Sequence, residues 1–169
     1  ILTSPAYDHN FFVDGILNAG DVFINGSWKT ILVGSLGRGG NTIFALDVSN
    51  VDSFSTSNVL WEFSDPDMGN FLGKPQLVRL NNGKWAVIAG NGYNSTNERP
   101  ELFIIDAETG TLIRKITAGD GTDENNGLST ALAVDINSDL ITDFIYTGDL
   151  KGNLWKFDLS ASNPASWNV

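Results

Sequence analysis

Apolar residues in this chain come in short runs of about five, rich in Val, Ile, Phe and Trp. No stretch of a dozen residues repeats them at the i, i+3, i+4, i+7 spacing of an amphipathic helix. Between the runs stand Asn-Gly, Gly-Gly and Asp-Gly pairs, whose residues accept the left-handed backbone of tight turns. Glycine and asparagine contribute eighteen residues each to the 169. The pattern predicts an all-β chain of short strands.

Three stretches superpose on one another. The first carries Thr30–Gly34, Ile43–Asp47 and Leu60–Phe63; the second carries Trp85–Gly90, Leu102–Asp106 and Thr111–Ile116. The third carries Phe144–Gly148 and Leu154–Asp158. The strand-ending glycines at 34, 90 and 148 are 56 and 58 residues apart, and the strand-ending aspartates at 47, 106 and 158 are 59 and 52 apart. A period near 50 with about four strands per unit is a mark of β-propeller blades. The expected architecture is a partial, modified β-propeller of about three blades of four-stranded antiparallel sheet, over residues 16–63, 72–117 and 127–169. Three blades do not close a ring, so the chain is expected to be an excerpt of a longer protein, residues 1–169 being one propeller fragment. The third repeat runs into Asn163–Val169 where its outer strand should begin. Asp47, Asp106 and Asp158 each end a strand and open a turn, a position that suits an architectural cap better than catalysis. The Trp and Phe residues of the strands are expected in the core between blades.

Charge narrows the function classes. Ten Lys and Arg face 20 Asp and Glu, a formal net charge of −10, which argues against nucleic acid and anionic membrane surfaces as partners. Without cysteine, thiolate metal sites, disulfide scaffolds and cysteine nucleophiles are excluded within this window. No apolar run approaches the ~18 residues of a transmembrane helix. Ile1 opens the chain without Met or a basic leader, so any targeting peptide is expected upstream or already removed.

One constellation carries chemistry. Before the Gly-ended strand the first repeat has the turn Ile24-Asn25-Gly26-Ser27-Trp28, and the second has Leu80-Asn81-Asn82-Gly83-Lys84-Trp85. The third has lengthened to Asp135-Ile136-Asn137-Ser138-Asp139-Leu140-Ile141-Thr142-Asp143, with oxygen-bearing side chains at loop positions 1, 3, 5 and 9 and the Ile141 carbonyl at position 7. Three aspartates within nine residues repel unless a cation sits among them. The spacing matches the first nine positions of an EF-hand-type loop, whose flexible oxygen ligands suit Ca²⁺ better than the slowly dehydrating Mg²⁺. Two positions depart from that pattern: Leu140 stands where an EF-hand has Gly, and Tyr146 where it has its bidentate Glu. Asp143 is therefore the expected terminal ligand. The flanks, Ala131–Val134 and Phe144–Tyr146, read as strands. The bland alternative is a solvated acidic turn; the non-acidic sister turns favour calcium. No His lies near, so no transition metal is indicated.

Other segments carry less. The acidic run Asp120–Gly127, which includes Asp123, lacks alternate spacing and reads as a surface loop. Asp65-Pro66-Asp67 reads as a turn and the single His9 as a packing or hydrogen-bonding residue. Gly37-Arg38-Gly39-Gly40 lacks the Gly-Lys-Ser/Thr ending of a phosphate loop. Asn25-Gly26-Ser27 and Asn94-Ser95-Thr96 match a glycosylation pattern that is common by chance. No nucleophile–base pair emerges, so no catalytic residue is assigned.

Trp28–Gly34 with Gly39-Gly40 and Ala45–Val48, Leu80–Trp85 with Gly90–Ser95, Gly127-Leu128-Ser129, and Gly148–Ser160 together resemble the PilY/PilC family of type IV pilus proteins. The resemblance runs over nearly the whole chain and is specific in combination. It implies a large exported protein of the bacterial surface, pilus tip or outer membrane, whose C-terminal part is a modified seven-bladed propeller. It implies Ca²⁺ in the loop matching Asp135, Asn137, Asp139, Ile141 and Asp143, with occupancy controlling pilus extension against retraction, and so twitching motility and adhesion. The partners it implies are the pilus machinery (pilins and minor pilins) and host-surface receptors. No Arg-Gly-Asp occurs here, so the integrin binding of some members is unsupported. Two other propeller classes share parts of this pattern. A pyrroloquinoline-quinone dehydrogenase propeller would need a cofactor face on the ring axis and often a vicinal Cys pair. An integrin-α-like propeller would repeat the acidic loop in several blades.

Overall fold

Eleven strands, β1 to β11, form three antiparallel sheets in the computed structural model, which describes residues 5–70, 73–122 and 124–169. The first sheet orders β1 (Asn18–Ile24), β2 (Ser27–Ser35), β3 (Thr42–Asp47) and β4 (Val59–Ser64) as consecutive neighbours. The second repeats this with β5 (Gln76–Arg79), β6 (Trp85–Gly90), β7 (Glu101–Asp106) and β8 (Leu112–Thr117). The third holds β9 (Leu132–Val134), β10 (Phe144–Gly148) and β11 (Leu154–Asp158). It has three strands rather than the expected four; an isolated antiparallel bridge from Asp158 to Asn168 stands where the fourth would pair. Residue 72, expected to open the second unit, and Asp123 lie outside the described residues.

The repeat extends to irregularities. Register shifts fall between Ala45 and Leu46 in β3 and between Ile104 and Ile105 in β7, so the same bulge recurs one period on. In the first hairpin Ile24 pairs with Ser27 across Asn25 and Gly26, both with positive φ (50° and 72°), as a two-residue primed turn requires. The second hairpin differs from the expectation: only Gly83 has positive φ, while the Asn82 carboxamide oxygen caps the Lys84 N–H at 3.0 Å.

Period-2 alternation splits the middle sheet between two cores. Val87, Ala89, Phe103 and Ile105 pack against Val22, Ile31, Val33, Ile43 and Trp61 of the first sheet. Ala86, Ile88, Leu102 and Ile104 pack against Ile145, Phe157, Leu159 and Trp167 on the other side. Every residue of β7 is buried. Trp61, Phe103 and Phe157 lie in these cores as expected, with Phe63, Trp85 and Trp155 packed against them, whereas Phe44 and Phe144 belong to neither cluster. Trp61 also ties the first two blades together, its indole N–H donating to the Ala107 carbonyl at 2.9 Å.

The strand-ending aspartates are caps. Asp47 accepts from the Ser49 N–H, Asp106 from the Glu108 and Thr109 N–H groups, and Asp158 from the Ser160 N–H and hydroxyl. In the first two blades the other carboxylate oxygen takes a lysine: Lys29 on Asp47 at 2.7 Å and Lys84 on Asp106 at 2.5 Å. The Lys29 ammonium, with the Ser49 hydroxyl and N–H, holds the Asp47 carboxyl at about 2, against its ordinary 3.8. A carboxylate lowered by folding stabilises the fold above its unfolded value, and that contribution is lost as pH falls from 3.8 toward about 2. Lys29→Met should therefore lose stability at neutral pH and flatten the acid limb of the stability profile. An acid limb identical to wild type in urea melts would contradict the pairing.

Candidate metal centre

The acidic loop lies in the hairpin between β9 and β10, the position that the short turns occupy in the sister blades. Phe144 pairs with Val134, and the Asp143 N–H donates to the Val134 carbonyl at 3.0 Å, leaving residues 135–142 to form the loop. The loop is built around Asp135. Its Oδ1 accepts from the N–H groups of Asn137, Ser138 and Asp139, and its Oδ2 from Leu140 at 2.7 Å. Burial works against the charged form of Asp135, but these backbone donors outweigh it and hold the carboxyl below its ordinary range. To wrap this way the chain turns left-handed at Ser138 (φ 63°) and Leu140 (φ 66°). Leu140 thus takes up, at a steric cost, the conformation for which an EF-hand uses Gly at the same position. Its side chain is 83% exposed and packs on little. Leu140→Gly should therefore stabilise the chain by roughly 0.5–1 kcal/mol, the relieved strain exceeding the added chain entropy. A lower urea midpoint in the variant would contradict this.

Asp143 is not the exposed ligand that its place in an acidic turn suggests. It is 7% exposed, and its Oδ2 accepts the Ile136 N–H at 3.0 Å, which closes the loop's two ends on each other. Its backbone carbonyl accepts from the Leu159 N–H at 2.8 Å. Asn137 and Asp139 stand on the exposed side, joined by a 3.1 Å bond from the Asn137 amide to Asp139 Oδ2; Asp139 Oδ1 takes the Ile141 N–H. Tyr146 is a strand residue, paired with Lys156 and Leu132, and belongs to no loop.

The five expected donors thus share one loop, but their side chains do not converge. Among the described residues no three Asp, Glu or His side chains close on a common point. The loop's own N–H groups and the Asn137 amide hold them. The chemistry of the set nevertheless fits a hard cation. All five donors are oxygens, and a carboxylate oxygen that accepts one N–H retains acceptor capacity. Among the described residues no Lys or Arg forms an ion pair with them. Among the described residues the ion pairs are Lys29–Asp47, Lys84–Asp106 and Lys115 with Asp65 and Asp67; none reaches Asp135, Asp139 or Asp143. The position that carries Lys29 and Lys84 in the first two blades, two residues before the partner of the capping aspartate, is Thr142 in the third. The lysine is missing from the blade whose turn is acidic.

Two residues at this site have no ligand-type signature in the sequence: Asn81 and Thr142. The Asn81 amide donates to the carbonyls of Thr142 (3.1 Å) and Leu159 (3.2 Å). The visible signal was the extra residue in the second turn compared with the first.

Of the remaining candidates, Asp65 and Asp67 do form a turn, and both accept from Lys115. Asp120 caps the Thr122 N–H and hydroxyl as a surface loop would. His9 contacts Tyr7 and Phe11 at the surface. Among the described residues no helix is long and apolar enough to cross a membrane.

Comparison with known proteins agrees with this architecture. Residues 3–168 match the family model described as the PilY1 beta-propeller domain. The chain is 47% identical to a type IV pilus biogenesis factor PilY1 homolog of Xylella fastidiosa, over 99% of this chain and 12% of that protein. It is 46% identical to the type IV pilus biogenesis factor PilY1 of Pseudomonas aeruginosa, over 95% of this chain and 14% of that protein. The crystal structure of the Pseudomonas aeruginosa PilY1 C-terminal domain superposes with a TM-score of 0.86 at 42% identity, covering 94% of this chain and 36% of the other. The chain spans about an eighth of the curated relatives and about a third of the solved domain. With its family model matched almost end to end and its blades superposing on a solved relative, this chain belongs to the PilY1 β-propeller family.

Proposed function

We propose that residues 135–143 bind one calcium ion and that this propeller segment serves type IV pilus biogenesis at the bacterial surface. The observation that carries the calcium reading is the uncompensated charge: three aspartates in nine residues with no Lys or Arg paired to them among the described residues. Asp135, Asn137, Asp139 and Asp143 supply side-chain oxygens and Ile141 its carbonyl. The remaining positions of a six- to eight-oxygen shell go to second carboxylate oxygens or water. Binding requires the Asn137–Asp139 bond to open, a local rearrangement on the exposed side of the loop. A bound cation offsets the mutual repulsion of the three carboxylates and joins the exposed side to Asp143, so the hairpin stiffens when occupied.

The pilus part of the proposal rests on relatives named as type IV pilus biogenesis factors. The partners are pilins and minor pilins, with host-surface receptors for adhesion, at the pilus tip or outer membrane. Loop occupancy biases extension against retraction, and through it twitching and attachment. The protein works as a binding scaffold, not an enzyme. The test is a strain whose protein carries Asp135→Asn, Asp139→Asn and Asp143→Asn together, compared with Asp120→Asn. The first should change surface piliation and twitching, the second should not. Equal piliation in the two strains would remove the regulatory role.

A further inference from the structure

We propose that Asn81, in the turn of the second blade, is a positioning residue for the acidic loop of the third; the inference rests on the calcium reading above. The loop has two unlike halves. Residues 136–140 are exposed, and among the described residues the side-chain bonds of Asn137 and Asp139 stay within the loop. Residues 142 and 143 are buried, and all four of their backbone polar groups are bonded outside it. The Thr142 N–H donates to the Arg79 carbonyl at 2.8 Å, and its carbonyl accepts from Asn81 at 3.1 Å. The Asp143 N–H donates to Val134 and its carbonyl accepts from Leu159.

The second blade supplies both bonds to Thr142, and Leu80 bridges Thr142 in parallel there. The Arg79 bond is backbone to backbone, so Asn81 is the side chain through which the second blade holds this half. Its carboxamide carries two N–H donors. One goes to Thr142, the residue before Asp143, and the other to Leu159, whose own N–H holds the Asp143 carbonyl. A single amide therefore anchors two of the segments that hold Asp143, its neighbour Thr142 and Leu159, and with them the terminal carboxylate and the Ile141 carbonyl beside Thr142. The turn is built to free that amide. Gly83 takes the left-handed position and Asn82 caps Lys84, so Asn81 has no duty within its own hairpin. In the first blade Asn25 occupies the left-handed position itself, and among the described residues its side chain makes no such bond.

Partners that orient metal ligands from behind typically influence affinity by about 10–100-fold. Asn81→Leu removes both donors at similar volume and should weaken calcium binding by the full chain at least about tenfold in calorimetric titration. Asn82→Ala breaks a cap in the same turn without touching the loop and should bind calcium like wild type. Melting of the calcium-free proteins separates the roles: a merely structural Asn81 would lower the melting temperature and leave the calcium dissociation constant in place, which would overturn the proposal. If Asn81→Leu does not fold, Asn81→Gln, which shifts the amide by one methylene, gives the same comparison. Wild type that binds no calcium would sink the calcium reading and this inference with it; wild type that binds, with Asn81→Leu and Asn81→Gln unchanged, would sink this inference alone.

Discussion

Replacing Asp143 by Ala should both cut calcium affinity by at least about a hundredfold and cost the calcium-free fold roughly 1–3 kcal/mol. The two losses have different origins. Calcium loses up to two oxygens and one negative charge from a set that holds only five protein donors. The fold loses the buried carboxylate that accepts the Ile136 N–H and so closes the loop's two ends on each other. Asp143→Asn separates the two. Its carboxamide oxygen can still accept the Ile136 N–H, so the calcium-free melt should stay near wild type while affinity falls. An Asp143→Ala variant that binds calcium like wild type would show that the loop assignment is wrong. Equal stability losses for Ala and Asn would show instead that the carboxylate charge, not the hydrogen bond, holds the loop closed.

Phe103→Ala should cost about 3–5 kcal/mol, the range for emptying a buried aromatic site. Phe103 lies on β7, which is covered on both faces, so no neighbour can relax into the cavity without disturbing the opposite core. The ring is fully buried, meets Phe63 edge-to-face at 5.8 Å, and has the Lys115 ammonium 5.6 Å from its centroid. Trp28→Ala removes a larger side chain, but one that is 66% exposed, and should change stability by about 0.5 kcal/mol or less. Urea midpoints of the two variants give the comparison. Similar losses would mean that an exposed aromatic contact stabilises the fold as much as the fully buried Phe103 ring does, against this account of the core.

Much of the blade pattern was legible because it is local. The strands ending at Gly34, Asp47, Gly90, Asp106, Gly148 and Asp158 are apolar runs closed by turn residues, and the structure has strands there. The aspartate caps were legible for the same reason, each acting on residues two or three ahead. The strand β1 was not: Asn18-Ala19-Gly20-Asp21 has little strand character and is extended because it pairs with β2 along its whole length. The third sheet's missing fourth strand is likewise a matter of pairing beyond Asp158.

At the loop, spacing singled out the five expected donors, since alternate oxygens along nine residues are a sequence property. Their division into a buried half and an exposed half was not, because it depends on contacts from residues 79–81 and 159. Nothing in Asp143 itself distinguishes it from Asp139; the distinction lies in what packs around it. The absence of a lysine at Thr142 became meaningful only after the strand registers aligned that position with Lys29 and Lys84.

Calorimetric titration of the full chain with calcium, in the presence and absence of excess magnesium, tests the central claim most directly. The account predicts one saturable calcium site that magnesium does not abolish and that disappears when Asp135, Asp139 and Asp143 are all replaced by Asn. No calcium binding by the wild-type chain, or undiminished binding by the triple variant, would contradict it.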